Sequence, residues 1–331
     1  MSTDTNNSSA TPRAAINVCH VIHPERANEI RDTGVSSEFL KASQKKFRVR
    51  CTQPECQVTL EKPLKCAKCK SVWYCSKECQ RKHWPTHKPR CHEVPRSSGA
   101  IKLVRMFILN PVLLGLLKVG VIIACGLNDN PRIGFDVPFG VRVDMAIEPS
   151  DILHFIGLYL NNSTVGEKLQ GMVQINAITP WELSRDSERL KKWREARATH
   201  DADGFANDPV GLVDFVDVSC TESSGNAATA ELHFPSIVLD MAKKREPFLG
   251  TSAVTGAQIK KPMSTLTCLE TINMHIRADR ENQLHLRTEM TDQDKEVIRA
   301  AGRNEDTYLA RIVKEKMQRE HLYANIVQLT H

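Results

Sequence analysis

Apolar and polar residues alternate most cleanly over "VRVDMAIEP", residues 141 to 149. Val141, Val143, Met145 and Ile147 fall on one side there, and Arg142, Asp144 and Glu148 on the other. A period of two marks a half-exposed strand. The apolar run "ILHFIGLYL" that follows predicts a helix capped by Ser150 or Asp151, whose side-chain oxygens can accept from the first free amides. Another strand is expected over "GMVQINAIT", residues 171 to 179. "LVDFVDVSC" and "NAATAELHF" flank "TESSG", the pattern of a β-hairpin with a glycine-containing loop.

Helical spacing takes over at "SIVLDMAKKR", "STLTCLETINMHIRA" and "DQDKEVIRAAG". The third helix has Thr291 and Asp294 as a capping pair and Gly302 as its stop. A last helix, near residues 305 to 325, turns Leu309, Ile312, Val313 and Met317 to one side. Antiparallel strands followed by a helical run imply an α+β domain rather than a wound parallel sheet, and no internal repeat is found. "FILNPVLLGLLKVGVIIACGL", residues 107 to 127, is long enough to span a bilayer. Asn110, Pro111 and two glycines interrupt it, and a central Lys118 would cost roughly 3 kcal/mol in a lone span, so the expectation is a buried helix pair and no membrane partner.

The chain of 331 residues can hold more than one core. Residues 1–46 form a polar segment, disordered over the first thirteen residues and with short helices expected over 26 to 46. Residues 47–95 hold a cysteine-rich unit that ends in the linker-like "HEVPRSSGA" of residues 92 to 100, and 96–331 make up the α+β domain. The formal net charge is +6, and fourteen lysines and arginines lie between Lys41 and Arg90.

The polar start lacks the apolar stretch of a secretory signal, which suggests a reducing cytoplasmic or nuclear setting where clustered cysteines favour metal over disulfide. Seven of the eleven cysteines lie between Cys51 and Cys91. Cys19, Cys125, Cys220 and Cys268 lie singly among apolar neighbours, as small buried hydrophobes do.

The cluster reads as four pairs: Cys51 and Cys56, Cys66 and Cys69, Cys75 and Cys79, His87 and Cys91. Structural zinc takes four Cys or His ligands, so eight ligands make two closed sites with no open position for substrate. Within "CSKECQRKHWPTHKPRC" a metal-capable side chain recurs at every fourth residue. Each step on a helix drifts by roughly 40°, so Cys75 and Cys91 would face nearly opposite ways. Pro85 lacks the amide that an interior helical position donates, which predicts a break. Cys75/Cys79 and His87/Cys91 are then separate clips, and His83 is left over.

These pairs, with "YCS", "CQ", "HW" and the closing His-x3-Cys, resemble the MYND-type zinc finger over residues 51 to 91. The resemblance implies a cross-brace: Cys51, Cys56, Cys75 and Cys79 on one Zn2+, and Cys66, Cys69, His87 and Cys91 on the other. The first pair departs from the family pattern, with four residues between Cys51 and Cys56 in place of two. About forty residues rarely fold unaided, and metal binding supplies the missing stability.

The resemblance also implies a protein-binding module that docks proline-containing peptides. Gln80 and Trp84 match the family's "CQxxxW" stretch and, one turn apart, can flank a groove, although Trp84 can equally pack the finger. Nucleic-acid binding is the alternative class, given the basic run. Seven thiolates outweigh the charge of two zinc ions, however, and offset part of that excess.

An enzyme with an unrecognised activity in 101–331 is the second alternative. No SET methyltransferase motif, P-loop or G-x-S-x-G is present. "HDADGFAND", residues 200 to 208, has the look of a calcium loop, but the twelfth position from Asp201 is Leu212 rather than Glu, leaving an acidic turn. His154, His233 and His275 read as core or surface histidines. The region from 101 to 331 is similar to the companion region of uncharacterised fungal MYND-finger proteins, which carries no activity with it.

Overall fold

The computed structural model describes residues 49–53, 55–56, 58–60, 64–68, 72–91, 97–161, 165–183, 186–218, 227–251 and 258–323. The expectations for residues 1 to 46, and the positions of Cys19, Cys69 and Cys220, lie outside these.

In the cysteine-rich segment, β1 (Val49–Arg50) pairs antiparallel with β2 (Thr59–Leu60), and β3 (Leu64–Lys65) with β4 (Trp73–Tyr74). Helix α1 (Lys77–His87) follows, capped by the Ser76 side chain, which accepts from the Cys79 amide. Pro85 does not break it, contrary to the sequence expectation. Pro85 sits in the last turn, where its missing amide forfeits a single hydrogen bond. The helix runs on to His87 and tightens directly into a 3-10 turn at Lys88–Arg90.

Ser97 to Ala100, read from sequence as linker, already belong to α2 (Ser97–Leu109). The apolar stretch divides at Asn110, whose side chain accepts from the Val112 and Leu113 amides and starts α3 (Pro111–Cys125). Leu113, Leu117 and Val119 to Ile122 are buried in the main core. Among the described residues no single helix is long and apolar enough to cross a membrane. The pair Lys102–Leu109 and Pro111–Cys125 meets the length and composition requirement only together and is bent by 89°.

The main sheet consists of β5 (Gly140–Pro149), β6 (Gln170–Trp181), β7 (Val210–Asp217), β8 (Ala227–His233) and β11 (Arg287–Glu289), in the order β11-β6-β5-β7-β8. A separate hairpin joins β9 (Phe248–Thr251) to β10 (Gln258–Lys261). β7 and β8 pair antiparallel as expected, while β5 and β7 pair parallel, so this α+β domain carries a mixed sheet.

The helices are α4 (Ile152–Tyr159), α5 (Ser187–Ala202), α6 (Ser236–Lys244), α7 (Thr265–Ala278), α8 (Asp292–Gly302) and α9 (Tyr308–Arg319). Asp151 caps α4, and Thr291 with Asp294 forms the capping box of α8. The polar sequence of α5 gave no apolar stripe to predict it. It packs through Trp193 and Ala196 on Val210 and Leu212, and its Arg189 holds Asp214 at 2.6 Å.

β5 is not half-exposed. It is the central strand, and both its faces are covered. α3 approaches β6 so closely that a methyl at Gly120 would sit 3.0 Å from Ile178, on the side that Val143 shares. On the opposite side α8 and α9 cover Ala146 and Glu148.

The polar positions of β5 are therefore buried with partners rather than solvated. Glu148 accepts from Lys316 at 2.7 Å and from Tyr323 at 3.2 Å, and Arg277 joins them. Asp144 accepts from Tyr308 and Arg142, each at 2.6 Å. At a bulge in β6, Asn273 of α7 stands in for a neighbouring strand, accepting from the Ile175 amide and donating to its carbonyl.

Candidate metal centre

Two sets of side chains converge in the cysteine-rich segment. Cys51, Cys56, Cys75 and Cys79 bring their sulfur atoms within 4.8 Å of one another, and so do the ligand atoms of Cys66, His87 and Cys91. The first set is assembled from three places. Cys51 follows β1, and the wide loop after it folds back through the Cys56 amide to the Gln53 carbonyl and the Cys51 amide to the Val58 carbonyl. Cys75 precedes the helix cap, and Cys79 lies in the first turn of α1. This pair therefore meets across the cap, not along a helical face.

The second set combines Cys66, just past β3, with His87 at the end of α1 and Cys91 after the 3-10 turn. All three are buried. Cys79 and His87 are eight residues apart, about 12 Å along a helix axis, too far to share an ion. The helix thus carries one corner of each set.

The spacing fits zinc. A tetrahedron with metal–sulfur bonds near 2.3 Å has sulfur–sulfur edges of about 3.8 Å. Cys56 and Cys75 are 3.5 Å apart, Cys75 and Cys79 3.4 Å, and Cys66 and Cys91 3.7 Å. These separations are far longer than a disulfide bond of about 2.05 Å, and none of these cysteines is in a disulfide.

Crowding of the first set shows in its ionisation. Hydrogen bonding with Cys79, then with Cys56, pushes the Cys75 thiol up to about 12. A backbone hydrogen bond from Val58, followed by one with Cys75, lowers Cys56. A divalent cation relieves this competition by taking all four sulfurs as thiolates, and its binding releases protons.

His83 joins neither set. Its Nδ1 lies 3.0 Å from the hydroxyl of the fully buried Tyr74, and its ring stacks on His87 at 5.8 Å. Trp84 meets the edge of His87 at 5.9 Å yet stays 39% exposed, while Gln80, one turn earlier, is half-buried. Packing and exposure are thus both true of Trp84. Val58 and, on β3, Leu64 are further exposed large hydrophobes of this segment. The solitary cysteines behave differently: burial pushes the Cys125 and Cys268 thiols up to about 12, which suits packing rather than reactivity.

A family profile described as MYND finger matches residues 51–91, and one described as Domain of unknown function (DUF8205) matches residues 97–323. Over short stretches the chain is similar to two curated proteins of Danio rerio. N-lysine methyltransferase SMYD2-B is 42% identical over 50 residues, which is 13% of this chain and 12% of that protein. N-lysine methyltransferase SMYD2-A is 53% identical over 38 residues, 11% of this chain and 9% of that protein. The chain thus spans about a tenth of the length of these relatives. No solved structure matches it.

Proposed function

The chain belongs to the DUF8205 family and carries a MYND finger ahead of that domain, and from this premise we propose that it is a zinc-binding interaction protein whose finger docks partner peptides. Cys51, Cys56, Cys75 and Cys79 hold one zinc ion, and Cys66, Cys69, His87 and Cys91 the other. Both ions are structural: sets of four protein ligands leave no position for a substrate. What zinc supplies is the cross-linking of short strands to α1, in a unit where Tyr74 is the one large, fully buried side chain among the described residues.

The observation that carries the docking reading is Trp84, a large aromatic kept 39% exposed on the helix that both metal sets anchor. Rigid exposed aromatics are frequent binding anchors. The ring faces solvent beside Gln80, whose amide can hydrogen-bond a peptide backbone. A proline-containing peptide suits such a surface, because it is already extended and loses little entropy on docking.

The test is binding of the full chain to an array of proline-containing peptides, compared with Trp84→Ala, with zinc content measured in both. Loss of binding at unchanged zinc supports the groove. Identical binding by the two proteins removes its main support.

A further inference from the structure

The outer face of α1 carries more than Gln80 and Trp84. At about 100° per residue, Lys77, Gln80, Arg81 and Lys88 all fall within about 60° of Trp84. Lys88 belongs to this face although it opens the 3-10 turn, because its backbone stays helical at φ −49° and ψ −46° and its amide donates to the Trp84 carbonyl. Lys77, Arg81, Trp84 and Lys88 are all exposed. Along about 16 Å of helix axis the stripe therefore presents two cations, an aromatic ring and a third cation.

The acidic groups of the finger lie elsewhere. Glu78 is about 120° round the helix from Trp84 and Lys82 about 160°, and these two pair with each other at 3.5 Å. Glu55 sits beside Cys56, in the loop that closes on the first metal set. Cys79 of that set is about 140° from Trp84, so its thiolate charge lies behind the stripe. Among the described residues none of Lys77, Arg81 and Lys88 is paired with a carboxylate. Lys77 moreover opens α1, where the positive end of the helix dipole disfavours a cation. Three exposed cations around one exposed ring, one of them placed against local stability, call for an anionic partner.

We propose that the partner peptide of the finger is acidic, with Asp or Glu on both sides of its proline. The acidic preference rests on docking at Trp84 as proposed above. The proline ring lies on Trp84, and the carboxylates reach Arg81 and Lys77 on one side and Lys88 on the other. Along the axis Arg81 and Lys77 stand about 4.5 and 10.5 Å from Trp84, and Lys88 about 6 Å the other way. An extended proline-rich chain advances about 3.1 Å per residue. Acidic residues are thus expected within about three positions of the proline on each side. A nucleic-acid strand fits less well, because its affinity comes from many phosphate contacts and this stripe offers three cations.

The test uses the full zinc-loaded chain and fluorescent peptides built round one proline, flanked in one version by glutamates and in the other by glutamines, with a single-stranded oligonucleotide as a third probe. Binding is read by anisotropy at low and at high salt. The glutamate peptide is expected to bind about tenfold tighter than the glutamine peptide at low salt, the sum of several exposed ion pairs. High salt should erase most of that advantage. The combined variant Lys77→Gln, Arg81→Gln and Lys88→Gln should bring the two peptides to nearly equal affinity at unchanged zinc content. Equal binding of the two peptides by the unmodified chain overturns the acidic preference and leaves docking at Trp84 standing. An undiminished advantage in the combined variant overturns the assignment to this stripe. Tighter binding of the oligonucleotide than of the glutamate peptide, lost in the same variant, overturns the choice of a peptide. Failure of both peptides to bind removes the docking reading and the preference with it.

Discussion

The Tyr74 hydroxyl and His83 Nδ1 lie 3.0 Å apart, which gives the leftover histidine of the cysteine-rich segment a partner other than metal. His83→Gln keeps a polar group beside Tyr74 and should leave two zinc ions per chain. Cys79→Ala should lose zinc and open the finger to protease. Metal analysis with limited proteolysis checks both, and a zinc loss in His83→Gln equal to that in Cys79→Ala would restore His83 as a ligand.

Removal of metal should act on the same unit. Incubation with a strong chelator is expected to render residues 51 to 91 protease-sensitive, because their small core cannot hold the strands to α1 without cross-links. Cleavage sites mapped by mass spectrometry read this out. Full protection after complete zinc removal would contradict it.

Lys316 and Glu148 form a pair hidden from solvent, with side chains 0% and 1% exposed. Removing one partner strands the other charge, so Lys316→Met should cost about 3–5 kcal/mol, measured by denaturant unfolding. Burial works to raise the Glu148 carboxyl, but the charges of Lys316 and Arg277 and the bonds from Lys316 and Tyr323 hold it below its ordinary 4.5. The stability it contributes is therefore present above that value and is lost as pH falls through the lowered one. In Glu148→Gln this acid-side loss should shrink.

Lys118 has the opposite sign. Burial, opposed by Asp208, brings its ammonium down from 10.5 to about 8. Below the lowered value the folded chain holds a costly charge, so the penalty is fully present at neutral pH and disappears as pH rises past the unfolded value. The shift amounts to about 3 kcal/mol. Lys118→Met should therefore stabilise the chain at pH 7, with an advantage that shrinks between about pH 8 and pH 10.5. Melting at the two pH limits tests this, and equal stabilisation at both would refute the assignment.

Gly302 ends α8, but its φ is not what requires glycine, since the left-handed region is not used there. A methyl would overlap the Tyr159 carbonyl oxygen at the end of α4. Gly302→Ala should thus cost about 3 kcal/mol through overpacking. A loss of only a few tenths in thermal unfolding would mean that α4 shifts freely.

The sequence determined by itself what depends on local chemistry. Cap residues such as Asp151 and the Thr291–Asp294 pair act on amides two or three residues away, and the cysteine pairs fall at spacings that turns and helix ends can close. The hydrophobic period likewise placed most strands and helices. It misled at β5, where Asp144 and Glu148 appeared as a solvent face, because a one-dimensional pattern cannot distinguish water from a buried partner more than a hundred residues away. Lys316, Tyr308 and Arg277 are those partners, brought in by helices that follow β8 in the chain. Only the structure decided that Pro85 could remain in α1, because the helix ends two residues later and the missing amide forfeits a single hydrogen bond there. Only it brought His200, Asp208 and His233 together, from α5, a loop and β8, because the packing of those segments and not their own residues sets their separation.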